Sequence, residues 1–232
     1  MSMTEAIYGC PRLHDLHPDW LFAQHLPSAL ASHVLAPGPE DRVLDMCAAP
    51  GGKTTHISTL MGNSGSVIAL ERSKTRCQIL RENVARWGAD NVEVRAMDAS
   101  KASQVLPANS FSKVLLDAPC SGLGQRPRLQ PGREVDIVAY ASFQRKLLQE
   151  AVRLMTPGGG LVYSTCTVTP QGNIHLENEE NVAWALENLP LKLKQQKILI
   201  GRNSGPENLC QFFDPSEWDL GFFIASFKRL PL

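Results

Sequence analysis

Short apolar runs alternate with helix-forming segments from about residue 42 onward, and this alternation limits the fold more than any other feature of the 232 residues. Each run has the length of a buried strand, and the segments between the runs carry apolar residues at helical spacing. The runs are Arg42–Cys47, Ser66–Leu70, Val92–Met97, Val114–Leu116 and Leu161–Ser164. Strands separated by helices return through right-handed crossovers, so the pattern predicts an α/β fold with a mainly parallel sheet and helices on both faces.

The segments around these runs predict the rest of the fold. Ser73 is placed to cap a helix that carries apolar residues at helical spacing and that ends at Gly88. Further helices are predicted at about 53–61, 140–155 and 178–188, and closing strands at Leu193–Ile200 and Phe222–Phe227. We expect residues 1–39 to form an N-terminal helical segment that packs on the core, and residues 40–232 to form the domain that carries the sheet.

Charge and composition exclude several classes of function. The 23 basic and 23 acidic side chains cancel, so bulk charge does not hold this chain to nucleic acid, although a local basic groove stays open. No apolar run approaches the ~20 residues that span a membrane. Met1–Arg12 lacks the pattern of a secretory signal. We therefore expect a cytoplasmic protein with no membrane partner.

The six cysteines indicate neither a disulfide framework nor a metal site. No two of them form a CxxC pair, so a zinc ribbon and a thioredoxin-type motif are both unsupported. Without a secretory signal, these thiols are expected to be reduced. Cys10, Cys77 and Cys210 have surroundings typical of structural residues, whereas Cys120 and Cys166 follow polar strand ends.

A loop of small residues follows the first predicted strand. The segment Asp45–Lys53, with the letters DMCAAPGGK, reads as a strand end, a loop and the start of a helix. Small side chains let backbone N–H groups approach a ligand closely, and glycine permits strained turns. The loop is not GxGxxG, and Cys47 stands at the first glycine position of the phosphate-binding GxxxxGK[ST] pattern. Hydrolysis of ATP or GTP is therefore disfavoured.

Two acidic residues at later strand ends extend this candidate site. Glu71 lies 19 residues after Gly52 at the end of the second run, where a carboxylate can accept both ribose hydroxyls of an adenosine. Asp98, at the end of the third run, is placed to hold the adenine amino group. Either acid alone reads equally well as a solvated strand end. Together with the small-residue loop, they favour a nucleoside cofactor.

Two cysteine-containing loops follow the fourth and fifth runs. Asp117 opens the segment DAPCSG, which contains Cys120, and Cys166 lies in the segment STCT. If the two strands are neighbours, both thiols face one cleft, because the carboxyl ends of parallel strands meet at one edge of the sheet. A lone cysteine is more often a small buried hydrophobe, whereas two at polar strand ends point to chemistry. The spacing does not decide which thiol is the nucleophile.

Several strings resemble the Nop/Sun family, the RsmB-type RNA cytosine-5 methyltransferases. DMCAAPGGKT, DAPCSG, and YSTCT followed by ENEE stand in the order of that family. The flanking LPSALASHVL, GQRP and FQRKLL are similar to the member that methylates tRNA near its 3′ end. The resemblance extends from about Met3 to Phe227. It implies a Rossmann-like S-adenosylmethionine-dependent methyltransferase fold, in which residues 40–232 form the catalytic domain.

The resemblance also implies roles for individual residues. Cys166 matches the family nucleophile and Cys120 the cysteine that assists product release, while Asp117 matches an acid at the junction of cofactor and base. Lys53 would orient Asp117 or the base and favour a thiolate. The residues implied to bind S-adenosylmethionine are Cys47, Ala48, Ala49, Pro50, Gly51, Gly52, Lys53, Glu71, Asp98 and Asp117.

The implied reaction explains why these side chains are needed. Carbon 5 of cytosine is too poor a nucleophile to take a methyl group directly, and a thiolate that adds to carbon 6 makes the ring enamine-like. Asp117 would stabilise a proton near ring nitrogen 3, and Cys120 would promote the elimination that frees Cys166. The target base must leave any stack to reach the cleft.

RNA, and tRNA in particular, is the implied substrate. The candidate backbone contacts are Arg126, Arg128, Arg133, Arg145 and Lys146, although each alone reads as a solvated charge. The tRNA-methylating relative carries an RNA-binding PUA domain for which we find no room here, so we expect a monomer that relies on a separate RNA-binding partner. Two features depart from the family: Glu71 replaces the usual Asp, and the loop Pro170–Leu176 is a few residues longer.

Two other classes of function stay open at this point. A small-molecule or protein methyltransferase would use the cofactor loop but would leave both cysteine loops unexplained. A non-catalytic RNA- or protein-binding module is also compatible with the fold. The intact Lys53, Asp117, Cys120 and Cys166 argue against that second alternative.

Overall fold

The computed structural model describes residues 23–125, 136–168, 176–218 and 220–231, and within them it contains a nine-stranded sheet. The strands are β1 (Arg42–Asp45), β2 (Ser66–Glu71), β3 (Val92–Ala96), β4 (Phe111–Asp117), β5 (Met155–Thr165), β6 (Leu191–Leu193), β7 (Arg202–Ser204), β8 (Cys210–Phe213) and β9 (Phe222–Arg229). The helices are α1 (Leu26–Leu35), α2 (Gly52–Leu60), α3 (Lys74–Arg86), α4 (Ile137–Leu154), α5 (Glu179–Asn188) and α6 (Pro215–Trp218). Two short 3-10 turns, Ala99–Gln104 and Pro206–Asn208, complete the described elements.

The first five strands form a parallel half of the sheet in the order β3-β2-β1-β4-β5. The chain moves outward from β1 to β3 and then returns to the other side of β1, which makes the carboxyl ends of β1 and β4 a topological switch point. Ligands bind at such points in open α/β sheets. β4 and β5 are in register with Asp117 opposite Ser164. The predicted α/β class is confirmed, and both cysteine loops leave the same edge.

The other four strands form an antiparallel half that the sequence indicates only in part. β9 lies beside β5, β8 and β7 follow it outward, and β6 pairs with the far end of β9. The predicted strand Leu193–Ile200 is wrong beyond its first residue, because β6 is Leu191–Leu193 and residues 194–200 contain no strand. That stretch is held by the buried Gln196 amide, which donates to the Leu209 carbonyl at 3.0 Å.

Two apolar clusters cover the two faces of the sheet. Successive residues of a strand point to opposite faces, so neighbouring residues of β1 belong to different clusters. Val43 shares one cluster with Leu30 of α1 and Ile57 of α2, and Leu44 shares the other with Leu147 of α4. Each side chain of this kind stabilises the fold by about 1.5–3 kcal/mol when fully buried. The helices on both faces are therefore anchored by the predicted apolar runs.

The predicted helix after Ser73 is confirmed. The Ser73 hydroxyl accepts a hydrogen bond from the Arg76 backbone N–H, which is the capping contact that satisfies a free donor of the first turn. Cys77 and Leu80 of this helix, α3, are fully buried. Cys210 on β8 is also fully buried, as expected of a structural cysteine.

The described part of the predicted N-terminal segment is α1 and the residues around it. α1 packs against α2 and against the β5 and β9 strands. Residues 1–22, among them Cys10, lie outside the described residues. Across the ranges that the structure describes, no helix combines the length and the apolar character needed to cross a membrane.

Candidate active site

The loop between β1 and α2 is held in place by side chains of α3. The Arg76 guanidinium donates to the Ala49 carbonyl at 2.5 Å, and the Asn83 amide donates to the Pro50 carbonyl at 2.8 Å. Gly51 has φ +113°, and a Cβ atom there would lie 2.9 Å from a side-chain carbon of α3. Only glycine meets both demands, because L-residues rarely adopt this φ and the space is already filled. The loop therefore presents its backbone in a fixed shape.

The start of α2 supplies free backbone donors beside this loop. None of the described side chains caps this helix, whose N-cap is Gly51. The first N–H groups of an α-helix have no partner inside the helix, and the helix dipole makes this end favourable for electron-rich groups. Gly52 and Lys53 of the first turn line the cavity described below.

Two acids stand at neighbouring strand ends, where the sequence places them, and each already has local partners. Glu71 accepts a hydrogen bond from the Ser73 N–H at 2.7 Å, and its other oxygen lies 3.2 Å from the Arg76 guanidinium. Asp98 accepts from the N–H and the hydroxyl of Ser100 at 3.0 and 2.8 Å. Both side chains thus order their own strand ends. Their roles in cofactor binding stay predictions.

Asp45 is a residue of this site that sequence reasoning noted only as a polar strand end. It is 1% exposed, and its Oδ2 accepts a hydrogen bond from the Thr54 hydroxyl at 2.7 Å. Its Oδ1 accepts no hydrogen bond of good geometry from the described residues. Burial raises the pKa of Asp45 to about 6, and the Thr54 hydroxyl and the Cys47 N–H lower it by less. The cavity is therefore lined by a buried carboxylate with one oxygen that has no hydrogen-bonding partner among the described residues.

The Lys53 side chain connects the β1–α2 loop to the strand ends that lead into the two cysteine-containing loops. Its ammonium lies 2.7 Å from Asp117 Oδ2, and the pair is partly buried, with side-chain exposures of 13% and 29%. The Ser164 hydroxyl donates to the other oxygen, Asp117 Oδ1, at 2.7 Å. The Lys53 ammonium also lies 5.3 Å from the centroid of the Phe222 ring. These contacts fix the orientation of the Asp117 carboxylate.

The two thiols predicted to do chemistry lie side by side. The Cys120 and Cys166 sulfur atoms are 3.4 Å apart, which is hydrogen-bonding distance for sulfur. The Gln125 amide also donates to Cys166 Sγ, at 3.3 Å. The Gln125 amide N–H can only donate, whereas either thiol can donate in the contact between the two sulfur atoms. When Cys166 carries the negative charge, it accepts from both the Gln125 amide and the Cys120 thiol.

These contacts move the two pKa values in opposite directions. The hydrogen bond from Cys120 lowers the pKa of Cys166, with help from Gln125 and from the Lys53 charge, and together they outweigh burial and the Asp117 charge. The same hydrogen bond and burial raise the pKa of Cys120. The thiolate is the reactive form of cysteine. The direction of these shifts agrees with Cys166 as the nucleophile, and that role stays a prediction.

A cavity of about 720 Å³ connects these groups. The β1–α2 loop and Asp45 form part of its lining, Asp117, Gln125 and Cys166 form another part, and Ser28 of α1 belongs to it as well. Glu71 does not line this cavity. A ligand held by the loop would therefore share one space with the Cys166 sulfur.

The structure brings Lys53, Asp117, Cys120 and Cys166 together, as predicted. Within the described residues, no group of three His, Cys, Asp or Glu side chains is arranged to hold a metal ion. Three residues beside this site were given no role from the sequence: Gln125, Glu177 and Asn178. The letters GQRP and ENEE contain them, but only the fold shows that they adjoin the cysteine loops.

The predicted RNA contacts are only partly described. Arg126, Arg128 and Arg133 lie outside the described residues, as do residues 170–175 of the longer loop. Lys146 is exposed on α4, as an RNA contact requires. The interpretation of Arg145 needs correction, because its guanidinium donates to the Asn181 side chain at 2.7 Å and lies over the Trp184 ring. Arg145 ties α4 to α5.

The fold is the Rossmann-like fold of S-adenosylmethionine-dependent methyltransferases. An S-adenosylmethionine-dependent O-methyltransferase from Thermotoga maritima is similar over 96% of this chain and 72% of its own, with a TM-score of 0.59 at 14% identity, which shows the fold alone. The family model described as 16S rRNA methyltransferase RsmB/F matches residues 32–228. The chain belongs to this RsmB/F methyltransferase family, which confirms the resemblance seen in the sequence.

Relatives with an assigned reaction are similar over most of this chain. The tRNA (cytosine(72)-C(5))-methyltransferase NSUN6 of Homo sapiens is 44% identical over 93% of this chain and 50% of its own length. A tRNA (cytosine(72)-C(5))-methyltransferase of Pyrococcus horikoshii is 39% identical over 99% of this chain and 58% of its own. The crystal structure of NSun6 from Pyrococcus horikoshii with SFG, an S-adenosylmethionine analogue, has a TM-score of 0.87 at 39% identity and covers 96% of this chain and 57% of that one. The chain spans about half the length of the curated relatives it matches.

Proposed function

We propose that this protein is an S-adenosylmethionine-dependent RNA cytosine-5 methyltransferase that acts on tRNA through a covalent bond between Cys166 and the target base. The observation that carries the proposal is that Cys166 lines the same cavity as the β1–α2 loop, with the Cys120 sulfur 3.4 Å away. The tRNA methyltransferases among the relatives support tRNA as the substrate class. The reaction of a small-molecule or protein methyltransferase would give the paired thiols no chemical role.

The residues of the candidate cofactor site fit S-adenosylmethionine. Asp45 offers the cavity a buried carboxylate oxygen without a hydrogen-bonding partner among the described residues, which suits a cationic ligand. The small-residue loop and the free N–H groups of α2 suit the polar atoms of a nucleoside cofactor. Glu71 would hold the ribose and Asp98 the adenine. When bound, S-adenosylmethionine supplies the electrophilic methyl group.

The first chemical step is the attack of the Cys166 thiolate on carbon 6 of the cytosine. Hydrogen bonds from Cys120 and Gln125 and the nearby Lys53 charge favour the thiolate form. When the sulfur–carbon bond forms, the ring becomes an enamine, and its carbon 5 is then nucleophilic enough to accept a methyl group. The negative charge that enters the ring would be relieved by a proton that ring nitrogen 3 takes up from water and gives back when the ring double bond is restored.

Asp117 would hold that proton in place. Its carboxylate cannot turn away from the base, because Lys53 and Ser164 each fix one of its oxygens at 2.7 Å. Each oxygen keeps a further lone pair with which it can accept a hydrogen bond from the protonated ring nitrogen. Charge that is already oriented stabilises a transition state without any reorganisation during the reaction.

Cys120 would complete the reaction. After methyl transfer, a water molecule in the cavity would take the proton from carbon 5, and the electrons of that C–H bond would form the double bond between carbons 5 and 6. The bond between carbon 6 and sulfur then breaks, and its electrons return to Cys166. The Cys120 thiol lies within hydrogen-bonding distance of that sulfur, so its S–H group stabilises the departing thiolate. Without this donor, the covalent adduct should persist.

We also propose that the protein acts in the cytoplasm as a monomer, and that a separate RNA-binding partner strengthens its binding to tRNA. Support for a reducing compartment comes from the free state of the described cysteines, which are Cys47, Cys77, Cys120, Cys166 and Cys210. Support for a partner comes from the net charge of zero, since electrostatic affinity for RNA grows with the number of basic contacts. Light scattering tests whether the protein is a monomer. Binding to tRNA, measured with and without cell extract, tests whether a partner strengthens that binding.

The experiment that tests the proposed reaction is incubation with labelled S-adenosylmethionine and total RNA, followed by mapping of the methylated cytosines. We expect label in tRNA and none when Cys166→Ala replaces the wild type. Cys120→Ala should form an RNA adduct that survives denaturation, and the Cys120→Ala/Cys166→Ala double variant should not. Label on a protein or small molecule, with none in RNA, would refute the proposal.

A further inference from the structure

We propose that Glu177 and Asn178 act as a pair of positioning residues, each of which holds one of the two active-site cysteines from behind. This inference rests on the proposed function, because it divides the covalent reaction between the two residues. Both side chains are buried, at 1% and 2% exposure, and they immediately precede α5. Neither has a described contact with a sulfur atom, so each would act through a loop.

Glu177 holds the loop that carries Cys120. Its Oε2 accepts a hydrogen bond from the Ser121 backbone N–H at 3.0 Å and another from the Gln144 amide at 2.8 Å. The same Gln144 amide donates to the Pro119 carbonyl at 2.8 Å. Since Pro119 and Ser121 are the two chain neighbours of Cys120, the carboxylate and its Gln144 partner fix the backbone on both sides of the thiol.

Asn178 holds the end of β5 in the same way around Cys166. Its Oδ1 accepts a hydrogen bond from the Thr165 hydroxyl at 2.6 Å, and its Nδ2 donates to the Thr167 carbonyl at 3.1 Å. Thr165 and Thr167 are the chain neighbours of Cys166. Two adjacent residues therefore bracket two different cysteines.

The hydrogen bonds around Cys120 and those around Cys166 are connected to each other. The Ser121 and Thr167 hydroxyl oxygens lie 2.5 Å apart, which joins the Cys120 loop to the Cys166 loop. With both loops held from neighbouring backbone positions, the 3.4 Å separation of the sulfur atoms is set by a single dipeptide. The pKa of Cys166 depends on that separation, because the hydrogen bond from Cys120 is the main cause of its lowering.

The surroundings of Glu177 favour a positioning role over simple packing. Its backbone carbonyl accepts a hydrogen bond from the Tyr163 hydroxyl, and the Asn181 amide donates to Gln144 Oε1 at 2.8 Å. A buried carboxylate is costly, and apolar side chains would fill the same volume at less cost. A fully bonded polar network instead fixes one geometry of the groups that it joins. The geometry fixed here is that of the cysteine loops.

The division of labour predicts two different failures. Loss of the Asn178 contacts should misplace the nucleophile and slow formation of the adduct. Loss of the Glu177 contacts should misplace Cys120 and slow release of the adduct after it has formed. A merely structural role would make both variants fail at the same step.

The test measures adduct kinetics on cytosine-containing RNA in the full chain. In the Cys120→Ala background, Asn178→Ala should slow adduct formation about 100-fold, the size expected for a misplaced reacting group. In the same background Glu177→Ala should change that rate by less than about twofold, because the thiol that it positions is already absent. With Cys120 present, Glu177→Ala should accumulate adduct, and Glu177→Gln should restore turnover because its amide oxygen can accept both hydrogen bonds. Glu180→Ala, from the same motif, is the matched control and should behave as wild type.

A second measurement uses no RNA. Dibromobimane becomes fluorescent when it links two neighbouring thiols, so its reaction with the Cys120–Cys166 pair reports their separation. We expect slower linking in Glu177→Ala and Asn178→Ala and wild-type linking in Glu180→Ala. Wild-type linking in both variants, or equal slowing of adduct formation by both in the Cys120→Ala background, would overturn the inference. If the wild type methylates no RNA and Cys120→Ala traps no adduct, the proposed function fails, whereas the linking rates still decide the positioning role.

Discussion

The two sides of the active site are built in different ways. The donor side, which consists of the β1–α2 loop and Glu71, is shaped by backbone strain at Gly51 and by side chains of the next helix along the chain. The acceptor side, which consists of the Cys120 and Cys166 loops, is held by buried side-chain hydrogen bonds from distant segments. The donor side can therefore form locally, whereas the acceptor side exists only in the complete fold. Changes on the donor side should alter cofactor binding, and changes on the acceptor side should alter turnover.

The strongest test of this contrast is Cys166→Ala. Methyl transfer should fall on the order of 10⁴-fold or more, since removal of a covalent nucleophile leaves only binding and orientation. The dissociation constant of S-adenosylmethionine should stay within about twofold, because the donor side is intact. Single-turnover assays and calorimetry measure the two quantities. Cys77→Ala, a buried thiol of α3, is the matched control, and its transfer rate per folded molecule should be that of the wild type. Residual transfer above a few per cent would contradict the assignment.

The reverse case is Glu71→Ala on the donor side. Loss of the two hydrogen bonds that the ribose hydroxyls would donate to this carboxylate should weaken binding of S-adenosylmethionine about 30-fold. At saturating cofactor, adduct formation in the Cys120→Ala background should be unchanged, because no acceptor residue is disturbed. The control is Glu93→Ala, an exposed acid on β3 that removes the same charge. Slower adduct formation at saturation would break the separation between the two sides.

Asp45→Asn tests the electrostatics of the donor side. Burial raises the pKa of Asp45 from 3.8 to about 6, so the folded protein binds this proton more tightly than the unfolded chain does. Ionisation therefore lowers stability as pH rises from 3.8, and the loss is complete above about 6. The amide removes this penalty and keeps an oxygen for the Thr54 hydroxyl, so the ligand-free protein should gain about 2 kcal/mol of unfolding free energy at pH 7.5.

Two further results belong to the Asp45 experiment. Urea unfolding at pH 3.5 should show almost no gain, because the carboxyl group is then protonated in both states. Affinity for S-adenosylmethionine should fall, because the cationic ligand loses its buried counter-charge. A variant that is no more stable than the wild type at pH 7.5 would mean that Asp45 is already compensated in the ligand-free protein.

Gln125→Ala tests how the acceptor side activates the Cys166 thiol, and it has the smallest expected effect. Its amide donates to Cys166 Sγ and lowers the pKa of that thiol, so its loss should raise the pKa. The acid limb of kcat/KM should move to higher pH, and the rate below the limb should fall about threefold, as the loss of one weak hydrogen bond implies. Gln149→Ala, on the exposed side of α4, should leave the pH profile in place. An unshifted profile in Gln125→Ala would remove the amide from the account of thiol activation.

The sequence is most informative where structure depends on local contacts. The strand and helix alternation, the Ser73 cap and the β1–α2 loop could all be predicted, because each depends on residues that lie close together in the chain. The two cysteine loops could be placed at one sheet edge because parallel strands have a fixed direction. The choice of Cys166 as nucleophile came from family resemblance, and the structure adds the reason in the hydrogen bonds from Cys120 and Gln125.

Features that depend on contacts between distant segments could not be predicted from the sequence. Residues 198–200 are apolar and read as the end of a strand, but the buried Gln196 amide and its carbonyl partners decide the course of this segment. Arg145 reads as a surface charge, yet Asn181 and Trp184 on another helix bind it. Asp45 looks like an ordinary strand end, since its missing partner is visible only after the core closes around it.

The position of β9 late in the sequence has a consequence for how this protein folds during its synthesis on the ribosome. β5 ends immediately before Cys166 and pairs with β9, whose first residue follows the end of β5 by more than fifty positions. While the intervening segment is being synthesised, β5 is an open edge that other strands could join. Phe222, the residue beside Lys53, emerges only with β9. The open edge of β5 therefore persists, and the contact between Phe222 and Lys53 cannot form, until β9 has left the exit tunnel and paired with β5.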